Sequence, residues 1–180
     1  MNILFKLICY LLRVPAQLKG MRFGTNSFIG PGYDVLFLNL RNVEVKNNVM
    51  IGSRAWFQTV DSGKISVGSG THIGRDVVIS ARDEISIGEN CLLSYRVSIL
   101  DHDHKLDRSI KSPMKSGLTK GQKVTIGDNC FIGANVCIIK GVTLGKHCAV
   151  GANSVVTKSF PDFSVIAGNP ARMINTLENK

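Results

Sequence analysis

The chain has 180 residues, 22 of them Lys or Arg and 13 Asp or Glu, for a formal charge of +9, with 44% apolar and 7% aromatic residues. This is the composition of one globular domain rather than a disordered tail, and a domain of this size buries roughly 70% of its unfolded surface without needing disulfides or a structural metal. Cys9, Cys91, Cys130, Cys137 and Cys148 are odd in number and never spaced CxxC, which argues against a disulfide scaffold and for small reduced core residues in a cytoplasmic protein.

The first fourteen residues, MNILFKLICYLLRV, carry only Lys6 and Arg13 as charges among Ile3, Leu4, Phe5, Leu7, Ile8, Leu11 and Leu12. They are too short to span a bilayer, and they lack the basic n-region and small-residue cleavage site of a signal peptide. The pattern predicts an apolar helical segment within residues 1–22. Two roles stay open: a helix packed on the domain or a neighbouring subunit, and a helix lying in a membrane interface near lipid-carried substrates.

Beyond it, apolar residues recur every six positions: Val45, Ile51 and Phe57, then Val67, Ile73, Ile79 and Ile85, then Ile87, Leu93 and Ile99. Phase breaks mark insertions at corners. Neither a helix nor a plain alternating strand gives this period with glycine beside the buried aliphatic. It predicts a triangular solenoid, each unit supplying one short strand and one corner, with the aliphatic register buried in a continuous column.

The period stops between Ile99 and Val124, and residues 100–123 read LDHDHKLDRSIKSPMKSGLTKGQK. A long polar insert in a regular solenoid is a place for function. Its six basic residues (Lys105, Arg108, Lys111, Lys115, Lys120 and Lys123) have no interleaved aromatics, which argues against nucleic acid as the anionic partner that the net charge calls for. His102 and His104 stand two apart and point the same way if the segment is extended. The insert's own residues leave four roles open: a solvated loop, a metal site needing His72 or His147 as a third ligand, an anion site, and general base catalysis.

The period resumes with Ile126, Ile132, Ile138, Leu144, Val150 and Val156, and a second register runs Val124, Cys130, Val136, Val142, Cys148 and Ser154. Asn129, Asn135 and Asn153 fall where a left-handed corner tolerates asparagine. The tail from Gly151 reads GANSVVTKSFPDFSVIAGNPARMI.

This repeat resembles the hexapeptide-repeat acyltransferases over about residues 25 to 172. The resemblance implies an all-β, left-handed parallel β-helix over 23–172, with the loop 100–123 protruding, a helical segment at 1–22 and a tail at 173–180. Its left-handed coiling runs against the usual crossover preference and comes from the family alone. The resemblance also implies a homotrimer with sites between adjacent prisms.

The insert is most similar to the maltose and galactoside O-acetyltransferase branch, where the catalytic His follows an apolar residue by seven and precedes HPLD-like text. Val97 plus seven gives His104, followed by Lys105, Leu106 and Asp107, so the resemblance makes His104 the first choice of general base; a two-residue shift would make it His102. Asp101, Asp103 or Asp107 would orient the ring. A thioester is already activated, so the acceptor hydroxyl needs only a base that takes its proton and returns it to the thiolate. The tail resembles the family's GA-x-S-x-V-T-K … G-x-P-A-R-x-I ending, which implies an acetyl-CoA groove with Ala134 and Ala152 as small corners and Thr157, Lys158 and Arg172 on the phosphates.

The sequence departs from that branch in its apolar N-terminal segment and in Gly74, which stands where an acceptor-binding Asn is expected. Together these imply an acetyl-CoA-dependent O-acetyltransferase that needs no metal and acts on a sugar hydroxyl of surface polysaccharide or glycolipid, with an amino-sugar N-acetyltransferase as the alternative. The expected location is the cytoplasm, with peripheral contact at the inner membrane face through residues 1–14 as the second reading of that segment.

Overall fold

The computed structural model describes residues 3–33, 40–109 and 112–178; the side chains of residues 3–6 and of Cys9 lie outside that description. Short strands stack in three parallel faces, and successive coils lay one strand on each. The first face stacks Arg22–Phe23, Val43–Val45, Lys64–Val67, Glu84–Ile87, Val124–Ile126 and Thr143–Leu144. The second stacks Phe28–Ile29, Met50–Ile51, His72–Ile73, Leu92–Leu93, Phe131–Ile132, Ala149–Val150 and Ser164–Gly168; the third, Trp56–Thr59, Val78–Ala81, Ser98–Leu100, Cys137–Ile138 and Val155–Val156. The result is a left-handed parallel β-helix of about 6 coils.

The six-residue period is the register of these stacks. Ile73 pairs with Ile51 and Leu93, Leu93 with Ile132, and Ile132 with Val150, and all five side chains are buried. Each inward residue therefore packs on its counterparts one coil away, and the backbone groups of each strand pair with the coils above and below. Ile132→Ala removes most of a fully buried side chain from the middle of this column. It should cost about 2–5 kcal/mol, read as a lower urea midpoint at an unchanged m-value.

The phase breaks have one cause. Inward residues six apart, such as Ile138 and Leu144, are separated by a corner of minimal length, whereas Phe57 and Val67 are ten apart, Ile79 and Ile87 eight, and Ile99 and Ile126 twenty-seven. All three excesses fall where the third face turns into the first. Ile85 accordingly stands in a different column from the one its spacing to Ile79 suggests: it pairs with Ile65 and Val124, at the start of the first face.

The corners explain the small and polar residues. Asn129, Asn135 and Asn153 adopt φ of 58°, 57° and 61°, the left-handed conformation that asparagine tolerates, and His147 takes the same turn at 56°. At Gly127 a Cβ would lie 2.7 Å from the Gly145 carbonyl carbon, so the corner admits no side chain. Cys91, Cys130 and Cys148 line the first-to-second corner, buried, with their thiols donating to the carbonyls of Gly127, Gly145 and Pro161 at 3.1, 3.1 and 3.2 Å. Cys148, Cys91 and burial hold the middle thiol, Cys130, well above its ordinary pKa and therefore protonated. Cys137 is only half-buried, on the outer side of the third face.

The N-terminal helix α1, Ile3–Leu18, caps the first coil, with Leu12 and Ala16 packed onto the core and Met21 buried just after it. Among the described residues no helix is long and apolar enough to cross a membrane. At the other end, Ala171–Thr176 folds back antiparallel on Ser164–Gly168, so residues 173–176 are strand rather than tail.

Candidate active site

The site begins with an aspartate at the end of a buried strand. Ser98–Leu100 runs along the third face, and the next residue, Asp101, is fully buried where the chain leaves the solenoid. Its Oδ1 accepts from the backbone N–H of Arg82 and its Oδ2 from that of Asp83, both at 2.7 Å, which ties the carboxylate to the corner of the coil below. Oδ1 also lies 2.8 Å from Nδ1 of His102, whose side chain is 10% exposed.

An ionised carboxylate can only accept, so the ring proton sits on Nδ1. The neutral imidazole then keeps the lone pair of Nε2 for chemistry.

His104 is placed differently. Asp103–Lys105 forms one arm of a hairpin whose other arm is Gly117–Thr119: the N–H of Thr119 donates to the Asp103 carbonyl at 2.7 Å, and that of Lys105 to the Gly117 carbonyl at 3.0 Å. His104 bridges Leu118 on this hairpin, is exposed, and has no side-chain partner among the described residues. The two histidines therefore do not share one environment, because residues 101–103 turn out of the strand rather than extend it. Asp107 is exposed and accepts from the Ser109 N–H at 2.7 Å, while Asp103 pairs with Lys140; Asp101 is the acid that meets the His102 imidazole.

Arg82 anchors the loop. Its Nη1 donates to the carbonyls of Leu118 and Thr119, each at 2.6 Å, and its Nε lies 3.0 Å from Asp61 Oδ2. The loop closes at its neck, where the Gln122 N–H donates to the Asp101 carbonyl at 2.8 Å and the Gly141 N–H to the Gln122 carbonyl at 3.0 Å. Beneath it opens a cleft of about 570 Å³ lined by Asp61, Ser62, Arg82, Asp83, Lys105 and Lys120 among others. Sequence reading missed Arg82 and Lys140. The signal for Arg82 was the lengthened corner between Ile79 and Ile87, on which the loop rests.

The five residues expected at a cofactor groove fall on two neighbouring corners. Ala134 and Ala152 are stacked where the second face turns into the third, with the Asn153 N–H donating to the Ala134 carbonyl at 2.8 Å. Arg172 stands at the top of that column: it pairs with Ala167, whose Cβ would be 3.2 Å from a Cβ on Gly151. Thr157 and Lys158 are exposed on the next corner, the one from which the loop and Asp101 emerge. Between the two corners lies the outer surface of the third face, with Cys137 opposite Val155. Arg172 and Lys158 reach no acidic partner among the described residues, and no group of three or more His, Cys, Asp or Glu gathers there as a metal site. Gly74 has no room for a side chain, since its Cβ would meet the Ser94 carbonyl carbon at 2.6 Å.

Comparison with known proteins fits this geometry. A family model described as the hexapeptide repeat of succinyl-transferase matches residues 123–158. An uncharacterized 24.8 kDa protein in the cps region of Klebsiella pneumoniae is 34% identical over 170 residues, 88% of this chain and 73% of the relative.

The chain belongs to the hexapeptide-repeat acyltransferase family. Within it, the galactoside O-acetyltransferase of Escherichia coli K12 is 32% identical over 136 residues, 72% of this chain and 64% of that enzyme. A hexapeptide-repeat acetyltransferase of Vibrio cholerae, solved with acetyl coenzyme A, superposes with a TM-score of 0.67 at 25% identity, covering 93% of this chain and 76% of that one. The N-acyltransferase AntD of Bacillus cereus, as a point mutant in complex with dTDP and coenzyme A, superposes with a TM-score of 0.71 at 25% identity, covering 87% and 84%. The chain spans about half the length, 49%, of two further acetyltransferase relatives, from Mycobacterium tuberculosis and Dictyostelium discoideum.

Proposed function

We propose that this protein transfers an acetyl group from acetyl-CoA to a hydroxyl of a sugar in surface polysaccharide or glycolipid assembly, with His102 as the general base. The Asp101–His102 pair carries the reading, because a buried carboxylate holds the imidazole in one orientation where the loop leaves the solenoid. His102 Nε2 takes the proton from the acceptor hydroxyl as its oxygen attacks the thioester carbonyl. The tetrahedral oxyanion collapses, the C–S bond breaks, and the imidazolium returns its proton to the departing thiolate. Asp101 holds the ring and stabilises its transient positive charge. No metal enters this scheme.

Ala134 and Ala152 suit the pantetheine arm because neither corner carries bulk, and Lys158 and Arg172 offer unpaired charge to the phosphates of acetyl-CoA, with Thr157 as a neutral donor. The acetyl-CoA complex of the Vibrio cholerae neighbour and the galactoside acceptor named for the Escherichia coli relative support the two substrates. A homotrimer is supported by the outer side of the second face, where Met50, Leu92 and Phe131 form an exposed apolar stripe in one register with His72. A cytoplasmic setting follows from the use of acetyl-CoA.

Calorimetric titration with acetyl-CoA tests the groove: micromolar binding is expected, weakened about tenfold or more in Lys158→Ala/Arg172→Ala. An absence of binding to the unaltered protein would remove the acyltransferase reading. A second reading, N-acylation of an amino sugar, is favoured by the AntD likeness. Thiol release measured with matched hydroxyl and amino sugars decides between the two acceptors.

A further inference from the structure

The first 33 residues contain Lys6, Arg13, Lys19 and Arg22 and no Asp or Glu, a charge of 4 − 0 = +4. Residues 3–33 form α1 and the first two strands of the first coil. The outward side of α1 is apolar: Leu11 is 59% and Leu18 84% exposed, with Leu7, Ile8 and Val14 also exposed. Scattered exposed leucines mean little, but five apolar residues on one helix at the end of the prism form a contiguous patch.

Beside the patch, α1 and the first coil enclose a groove of about 610 Å³, walled by Leu7, Tyr10, Phe23 and Phe28 and holding Arg13. Arg13 is 7% exposed. Its guanidinium lies 5.2 Å from the Tyr10 ring centroid and 4.8 Å from that of Phe23, and its Nη1 donates to the Ser27 carbonyl at 3.1 Å. Its Nε has no partner among the described residues. A buried charged donor left unsatisfied is costly and calls for an anionic acceptor, and here it sits in an apolar groove.

We propose that α1 lies in the plane of an anionic membrane, with a lipid phosphate on Arg13 and the adjoining acyl chain along Leu7, Tyr10, Phe23 and Phe28. An amphipathic helix with apolar residues outward and an excess of positive charge nearby, of which Arg22 is paired with Glu44 at 3.3 Å, has the chemistry of interfacial binding, in which apolar burial adds to attraction for anionic headgroups. A second copy of the chain fits less well, since a two-fold contact through α1 would set each +4 segment against its like. The Asp101–His102 corner lies three coils from the first coil, roughly 15 Å at the spacing of stacked strands, and α1 caps that coil, which leaves the corner within reach of a lipid-carried acceptor. The membrane site itself does not depend on the acetyl-transfer reading.

Co-sedimentation with phosphatidylcholine vesicles, with and without about one third phosphatidylglycerol, tests it without any activity assay. The full chain should bind the anionic vesicles, stay free of the neutral ones, and lose binding as salt rises. Leu7→Asp/Leu11→Asp alters exposed residues only and should lower binding about tenfold or more with unchanged circular dichroism. Arg13→Gln should weaken binding as well; if it does not fold, the leucine pair carries the test. The proposal fails if the unaltered protein ignores anionic vesicles or if the leucine pair binds as well as it does. It also fails if sedimentation velocity without lipid shows the leucine pair breaking up a larger assembly, which would give the face to a second copy.

Discussion

His102→Ala should lower kcat by about 10²–10⁴-fold, the range that a positioned general base supplies. The same substitution should leave the fold intact at a modest cost in stability. The ring is mostly buried, but when it is removed Asp101 still accepts from the N–H groups of Arg82 and Asp83, so no buried polar group is orphaned. The loss is one hydrogen bond to a charged group, about 1.5–3 kcal/mol at most, or several degrees in Tm for a domain of this size. His104→Ala, on an exposed hairpin arm, should keep kcat within about twofold, as surface changes away from the chemistry do. Turnover is read by thiol release and stability by thermal denaturation on the same preparations. Full activity in His102→Ala would dismiss this assignment, and a large loss in His104→Ala would return the role to the residue that the motif spacing favours.

The fold was legible because its signal is one-dimensional. A solenoid repeats the same local environment, so residues six apart such as Ile132, Ile138, Leu144 and Val150 announce their inward positions by spacing alone, and Asn129, Asn135 and Asn153 announce the corner conformation. Where coil length varies, spacing misleads: Ile85 reads as a step from Ile79 although it belongs with Ile65 and Val124. The site was legible as a region and not as a geometry. Spacing finds the insert 100–123, but the environments of His102 and His104 differ through contacts with residues about 20 positions away in sequence, namely Arg82, Asp83 and Gln122. A two-residue step between the histidines in an irregular segment carries no record of which ring turns inward. Arg82 left only the lengthened corner as a sign, since its loop partners are backbone carbonyls of Leu118 and Thr119, which leave no trace in side-chain identity.

Asp101→Asn gives the second large expected effect, and it separates orientation from structure. The carboxylate makes three contacts through two oxygens: Oδ1 receives the Arg82 N–H and the His102 Nδ1–H, and Oδ2 receives the Asp83 N–H. An amide has one oxygen and one NH₂ group, so it satisfies one side and opposes the other. If its NH₂ faces Asp83, a buried N–H loses its acceptor, costing about 1–3 kcal/mol, and the imidazolium formed during reaction loses its counter-charge. If its NH₂ faces His102, the ring must accept at Nδ1, which moves the proton to Nε2 and removes the base. Either arrangement should lower kcat by about 10²–10⁴-fold, the second more than the first. The KM for acetyl-CoA should change little, since Asp101 is fully buried and its oxygens are taken up by Arg82, Asp83 and His102. A urea midpoint lowered by no more than the cost of one orphaned N–H, beside that loss of kcat, is the signature of a positioning residue. A lowered midpoint with full kcat would reduce Asp101 to a cap on the corner below it.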